Sequence, residues 1–402
     1  MKIILVHCQY QQPGGEDVVF AQERQLLERA GHQVVIFHRS NFEGEAYSGV
    51  KRLVLLKKAI WNEDVRETFA ELLRLEKPDV VHVHNTWIMI SPSIYSACRE
   101  AGVPVVQTLH NYRLLCPVGT FFREGKICEE CVEHSLLRSV RYGCYRDSRA
   151  SSAAVAMMLT FHRQRHTWEE DVTSYIVLTE FARKKYAMGG MPERKMFVKP
   201  NFVDPDPMGQ PGNGNSSPKK DGEYVLFAGR LSPEKRVSTL LEAWTHLRNR
   251  IPLIIVGGGV QRDQLEKEAI RGDLSMVEFK GLYTREQTIA TIRGARFLIF
   301  SSEWYETFGL TMVEAFACGI PVICSRMGAM QEIVDDGRTG LHFTPGDGND
   351  LAEKVEWAWN HPERMREMGQ EARREYESKY TAERNYPMLM DIYRQAMAEN
   401  GR

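Results

Sequence analysis

Two glutamates eight positions apart, Glu306 and Glu314, stand in the stretch Ser301-Ser302-Glu303-Trp304-Tyr305-Glu306-Thr307-Phe308-Gly309-Leu310-Thr311-Met312-Val313-Glu314, which continues to Gly319-Ile320-Pro321-Val322. This pattern reads as a strand end, a loop, a helix from about Gly309 that stops at Gly319, and a further strand beyond Pro321. If all eight steps were helical the two carboxylates would be about 12 Å apart, too far for the ~5.5 Å pair of a retaining glycosidase. Acids so placed suit the two ends of one elongated ligand. Between them Phe308, Gly309 and Leu310 would offer unpaired amides and the positive end of a helix dipole, a setting for a diphosphate. A sugar at Glu306, a diphosphate at the helix start and a ribose at Glu314 together make a nucleotide sugar. The plainer alternative is a helix-start acid and a solvated helix residue, and the strand, glycine and aromatic context speaks against it.

A second motif, Phe227-Ala228-Gly229-Arg230-Leu231-Ser232-Pro233-Glu234-Lys235-Arg236, combines a strand, a glycine that lets backbone approach closely and cations at the mouth of a helix expected over 234–248. Arg230 and Lys235 could neutralise a departing diphosphate, a task that a metal ion performs elsewhere. A surface ion-pair cluster with Glu234 is the competing reading. In the first half, Gln12-Pro13-Gly14-Gly15-Glu16 follows a strand and opens a helix to about Arg29, so Gly14 and Gly15 could admit a phosphate or a sugar. His110 ends another strand, where it could hydrogen-bond a sugar or an acceptor. His82 and His84 share one strand face, but without a third ligand in view they do not make a metal site.

Cys116, Cys128, Cys131 and Cys144 form a C-x11-C-x2-C-x12-C set in a stretch with few apolar residues to hold it together. A structural zinc is the expectation; an iron–sulfur cluster, a redox-labile pair or four unlinked thiols are the alternatives. Asp204-Pro205-Asp206 looks like a metal-binding Asp-x-Asp but lies in a proline-rich linker. No Ser-His-Asp or Walker pattern occurs.

The elements that must position these residues are legible as apolar runs of strand length alternating with helical segments: 3–6, 34–37, 80–84, 105–109 and 175–178, then 224–228, 253–256, 276–279, 297–300 and 322–325. Strands apolar on both faces imply parallel sheets covered by helices. The fold class expected is α/β, as two Rossmann-like domains. The first covers 1–200 with the four-cysteine insert at 116–144; a Pro/Gly-rich linker covers 201–222 and the second domain 223–378. A C-terminal helix at 379–402 could cross back to the first domain. The two sheets are expected to face each other across a ligand cleft. With 402 residues, 52 basic and 53 acidic side chains and a net charge of −1, the chain has the composition of an ordinary globular protein and no surplus for coating nucleic acid. No apolar run approaches the ~20 residues of a membrane span, and a cytoplasmic protein is expected. Between Leu136 and Thr167 six arginines face only Asp147, beside the apolar run 153–159, so this segment could rest on an anionic membrane surface.

Taken together, the Gly-Arg-Leu-x-x-Glu-Lys and Glu-x7-Glu motifs, the Gly14-Gly15 loop, the strand with Asp79, Val81, His82 and His84, and Leu109-His110 resemble the family 4 glycosyltransferases of the GT-B fold. The resemblance implies a retaining transferase that moves a sugar from a nucleoside diphosphate sugar, UDP favoured by its frequency among relatives, to a glycan or lipid-linked acceptor in polysaccharide or glycoconjugate biosynthesis. It implies Glu306 at the donor sugar, Glu314 at the ribose, Arg230 and Lys235 at the diphosphate, a histidine at the place of His110, and catalysis without a metal cofactor. Where many relatives carry Gly-Gly this chain has Gly328-Ala329-Met330-Gln331-Glu332. Another sugar-nucleotide enzyme of this fold, an epimerase or phosphorylase, and a non-catalytic nucleotide-sugar-binding subunit are the alternatives.

Overall fold

Runs such as Ile3-Ile4-Leu5-Val6 have no exposed side chain, and a strand buried on both faces needs a helix on each side. The computed structural model describes residues 1–11, 14–46, 51–209 and 222–400. The expected linker at 201–222 therefore lies, over 210–221, outside the described residues. Along the chain run β1 (Lys2–Gln9), β2 (Gln33–Ser40), β3 (Val80–Val83), β4 (Val105–Thr108), a short hairpin of β5 (Phe122–Arg123) and β6 (Lys126–Ile127), β7 (Ser174–Val177) and β8 (Met196–Val198). They continue as β9 (Val225–Ala228), β10 (Leu253–Val256), β11 (Val277–Gly281), β12 (Phe297–Phe300), β13 (Val322–Ser325) and β14 (Gly340–Phe343).

The chain divides into two units. Unit 1 comprises Met1–Phe121, Cys128–Pro200 and Asn385–Arg402; unit 2 comprises Phe122–Ile127 and Asn201–Arg384. Unit 1 holds a six-stranded sheet in the order β2-β1-β3-β4-β7-β8, and unit 2 one in the order β11-β10-β9-β12-β13-β14. All pairs within both sheets are parallel. The two Rossmann-like α/β domains expected from the sequence are thus present, each doubly wound.

Two short strands, β8 and β14, escape a search for apolar runs: β8 has three residues and β14 carries His342 at its centre. The helix expected over 234–248 is broken. Pro233–Lys235 form a single 3-10 turn, Arg236 takes a left-handed conformation (φ 49°), and the α-helix is Val237–His246. The Arg236 guanidinium fixes that break by donating to the Gly125 carbonyl and pairing with Glu303 at 2.9 Å. The apolar run 153–159 lies within the helix Arg149–Gln164, which leaves Met157 and Phe161 exposed. Among the described residues no helix is long and apolar enough to cross a membrane.

Candidate functional site

In unit 2 the strand order reverses between β9 and β12, so the loops leaving their carboxyl ends diverge and open a crevice. The loop after β9 begins at Gly229, whose N–H donates to the Val256 carbonyl at 3.0 Å. Next to it Gly257 has φ 143°, and a Cβ there would stand 1.8 Å from the Gly229 carbonyl oxygen. Only glycine lets these two backbones touch. The Gly257-Gly258-Gly259 run, directly after an apolar strand, was a sequence signal for this position that the motif reading passed over.

The loop after β12 carries Glu306. Its side chain is buried, and one oxygen, Oε1, accepts from Ser302 Oγ (2.8 Å), Trp304 Nε1 (2.7 Å) and Lys235 Nζ (2.5 Å). Lys235 Nζ also lies 5.0 Å above the Phe300 ring and 5.5 Å from that of Trp304. Charge-assisted bonds in such a screened place are strong and fix the carboxylate direction. Lys235 therefore belongs to Glu306 in this geometry, where the sequence had set it beside the diphosphate. Arg230 is more than half exposed and pairs with Glu234 at 3.3 Å, which leaves most of its guanidinium open to an incoming anion. Glu303, which the motif reading also left without a role, accepts from Thr239 Oγ1 at 3.0 Å and holds Arg236.

The helix following Glu306 is Leu310–Ala317, and Gly309 at its start has φ 92°. A Cβ at Gly309 would press on the flexible end of Met312 at 2.6 Å, and the left-handed φ is what calls for glycine here. The amides of Phe308, Gly309 and Leu310 have no protein acceptor among the described residues, although the Phe308 ring itself is buried near Tyr380. Only the steps from Leu310 to Glu314 are helical, about 6 Å of rise, so the all-helical separation of the two glutamates does not apply. Glu314 is buried against Arg285, whose Nε donates at 3.3 Å while its Nη1 donates to the Asp204 carbonyl at 3.2 Å. Burial raises the Glu314 carboxyl above its ordinary range, and Arg285 opposes the rise. Nothing in the sequence motifs marked Arg285.

In unit 1 the order reverses between β1 and β3. Gly14 precedes the helix Gly15–Arg29, and its N–H donates to Asp17 Oδ2 at 2.8 Å. His110 does not stand alone at a strand end: its Nε2 lies 3.0 Å from His84 Nδ1, and the two rings stack. Burial holds the His110 imidazole well below its ordinary range, with His84 adding to the effect. Around His82 and His84 the third ligand missing from the sequence reading is Glu23, and these three offer ligand atoms within 4.8 Å of one another. A divalent ion does not fit there, because the buried Lys199 ammonium already sits 2.7 Å from Glu23 Oε1. His82 is further engaged by Tyr393 Oη (2.7 Å) and Thr108 Oγ1 (2.8 Å).

Of the four insert cysteines Cys116 is buried and the other three are half-buried. Burial, with Cys116, Cys144 and Cys128 nearby, pushes the Cys131 thiol up to about 12. Among the described residues their sulfurs are not drawn within the 4.8 Å spacing that the Glu23 set shows. Of the six arginines expected to form a basic surface, Arg163 turns to the Leu114 carbonyl (2.9 Å), Arg165 lies 4.6 Å over the Trp61 ring, and Arg138 lies 3.7 Å from Glu130.

Residues 13–207 match the family described as Glycosyltransferase Family 4, and residues 213–375 the family described as Glycosyl transferases group 1. An uncharacterized glycosyltransferase of Methanocaldococcus jannaschii is 31% identical over 173 residues, 43% of this chain and 48% of the relative. The O-antigen chain mannosyltransferase C of Escherichia coli is 28% identical over 172 residues, 42% and 46% of the two chains. The chain thus spans about half the length of the curated relatives it matches. Among solved structures, Anabaena HepE in complex with UDP and glucose aligns with a TM-score of 0.66 at 18% identity, covering 98% of this chain and 99% of that one. The sucrose-phosphate synthase of Thermosynechococcus elongatus aligns with a TM-score of 0.71 at 19% identity, covering 99% of each. At such identities these two likenesses establish a common fold.

Proposed function

We propose that this chain, which belongs to the family 4 glycosyltransferases of the GT-B fold, transfers a sugar with retention from a UDP-sugar to a glycan or lipid-linked acceptor. The observation that carries this reading is the buried Glu306–Lys235 pair at the crevice of unit 2, followed by three unpaired amides at the start of the helix Leu310–Ala317 and by Glu314 on that helix, paired with Arg285. In this reading Glu306, aimed by Ser302, Trp304 and Lys235, binds hydroxyls of the donor sugar. The amides of Phe308, Gly309 and Leu310 and the Arg230 guanidinium take the diphosphate, and Glu314 takes the ribose. As the sugar–phosphate bond breaks, negative charge grows on the leaving phosphate, and preorganised donors stabilise it most at that moment. The acceptor proton passes to that phosphate on the face it leaves. HepE, described with UDP and glucose, supports the choice of UDP, and the O-antigen mannosyltransferase supports a polysaccharide product.

The test begins with the base. UDP is expected to raise the melting temperature and GDP to leave it unchanged, since only a ligand bound by the folded state stabilises it. Glu314→Ala should weaken UDP by about 1 to 3 kcal/mol, the loss of a charged hydrogen bond. Stabilisation by GDP alone, or UDP affinity indifferent to Glu314→Ala, would remove the assignment. UDP release that requires an acceptor distinguishes transfer from epimerase chemistry and from a binding subunit.

A structural zinc at Cys116, Cys128, Cys131 and Cys144 is part of the same proposal, supported by four cysteines in a segment whose elements are a hairpin of two-residue strands and helices of four and six residues. Metal analysis of protein prepared without chelator should find about one zinc per chain, and Cys128→Ser should lose it. Metal-free protein of full stability would leave four unlinked thiols.

A further inference from the structure

Three side chains at the strand-order reversal of unit 1 have no part in the reading above. His7, on β1, has its Nε2 2.8 Å from Asp17 Oδ1, and Asp17 is itself held by the Gly14 amide. The other imidazole nitrogen, His7 Nδ1, faces Glu16 Oε1 at 3.9 Å. Both of these atoms are buried and neither has a hydrogen-bond partner among the described residues. The Glu16 side chain is only 9% exposed and that of His7 only 2%. Buried polar atoms are nearly always paired, so two unpaired ones facing each other mark a place prepared for a further polar group.

We infer that Glu16 binds a sugar hydroxyl of the acceptor, with the Asp17–His7 dyad as the positioning pair behind it. This rests on the glycosyltransferase reading and extends it to the acceptor side. The 2.8 Å contact with Asp17 holds Nε2 and so aims the other ring nitrogen, Nδ1, at Glu16. The groups that face it are His7 and Cys8 on β1, Tyr10 beyond it, Asp17 on its own helix, Asn111 and Arg113 after β4, and Tyr186 on the helix Glu180–Met188. Burial, then Asp17, pushes the Glu16 carboxyl up to about 8 against the opposing pull of Arg113, Tyr10 and Asn111. At neutral pH Glu16 is therefore largely the neutral acid, which donates one hydrogen bond and accepts others, as a hydroxyl requires. No proton leaves Glu16 in the reaction.

Kinetics across pH, with the acceptor varied at saturating donor, test this. In the wild type the acceptor KM should be flat below about pH 8 and rise above it, as ionisation removes the donor. Glu16→Ala should raise the acceptor KM about tenfold or more with donor KM unchanged, the scale of one buried hydrogen bond. Glu16→Gln, neutral at every pH and able to donate, should keep the wild-type KM and lose the rise. His7→Ala should shift the position of the rise. Wild-type acceptor KM in Glu16→Ala, or an unchanged alkaline rise in Glu16→Gln, overturns the inference while leaving the transferase reading intact. A wild-type protein that turns over no donor defeats the transferase reading instead.

Discussion

Lys235→Ala is expected to lower sugar transfer by about 100-fold or more, the scale of removing one preorganised partner of a charge that matters in the transition state. The reason is geometric. Lys235 is the only one of the three donors on Glu306 Oε1 that carries a charge, and it lies in the same buried pocket, over Phe300 and beside Trp304. Without it the buried carboxylate loses its charged partner and with it the direction in which it is held. Glu306→Ala should abolish transfer and leave UDP binding nearly intact, because Glu306 is assigned to the sugar end. Transfer should also survive brief EDTA, since protein cations and amides take the place of a metal. Equal loss of UDP affinity in Glu306→Ala, or turnover lost to chelation and restored by magnesium or manganese, would sink this division of roles.

The second large effect is on stability. Lys199→Met should destabilise the protein by about 3 to 5 kcal/mol, measured by the urea midpoint and slope, because Glu23 and Lys199 both have fully buried side chains and removing one leaves the other uncompensated. Glu23→Gln combined with Lys199→Met should recover most of that loss. A single variant within 1 kcal/mol of wild type would show that the pair is not the anchor described. The acid dependence has a definite sign. Burial alone would raise the Glu23 carboxyl, but Lys199, His84 and His82 together hold it well below its ordinary value of 4.5. Its contribution is present above that value and is lost as pH falls through the depressed one. His82 and His110 are held well below 6.5, chiefly by burial, so they begin to cost stability as pH falls below about 6.5.

The sheets could be read from the chain because their inner strands are buried on both faces, which leaves uninterrupted apolar runs such as Phe297–Phe300, while the edge strands β2 and β11 keep shorter apolar stretches among half-exposed residues. Short strands with a polar centre, like β14 with His342, leave no such trace. The motifs single out Glu306, Glu314 and Lys235 as candidates but give no hint of their pairings: Lys235 lies 71 positions from Glu306 and Arg285 lies 29 from Glu314. Side-chain partners at that range are set by tertiary packing, which local spacing does not encode. His110 shows the same limit. A strand-end histidine looks exposed in sequence, and the neighbouring strand brings His84 against it. Glu23 is a further case, since position nine of an otherwise ordinary amphipathic helix gives no hint of a buried ion pair with a lysine 176 positions away.

The buried centre of unit 1 also sets a timetable for biosynthesis. Lys199 is bound by Asn385 at 2.8 Å and His82 by Tyr393 at 2.7 Å. A ribosome delivers Glu23, His82 and Lys199 first, then all of unit 2 beyond the short hairpin, and only afterwards Asn385 and Tyr393. At ~5 to 20 residues per second the 186 positions separating Lys199 from Asn385 take roughly 10 to 40 s to translate. For that interval Lys199 is without its asparagine and His82 without its tyrosine. The second unit can fold as it emerges, while the first is completed only once the helix Ala382–Asn400 has followed it.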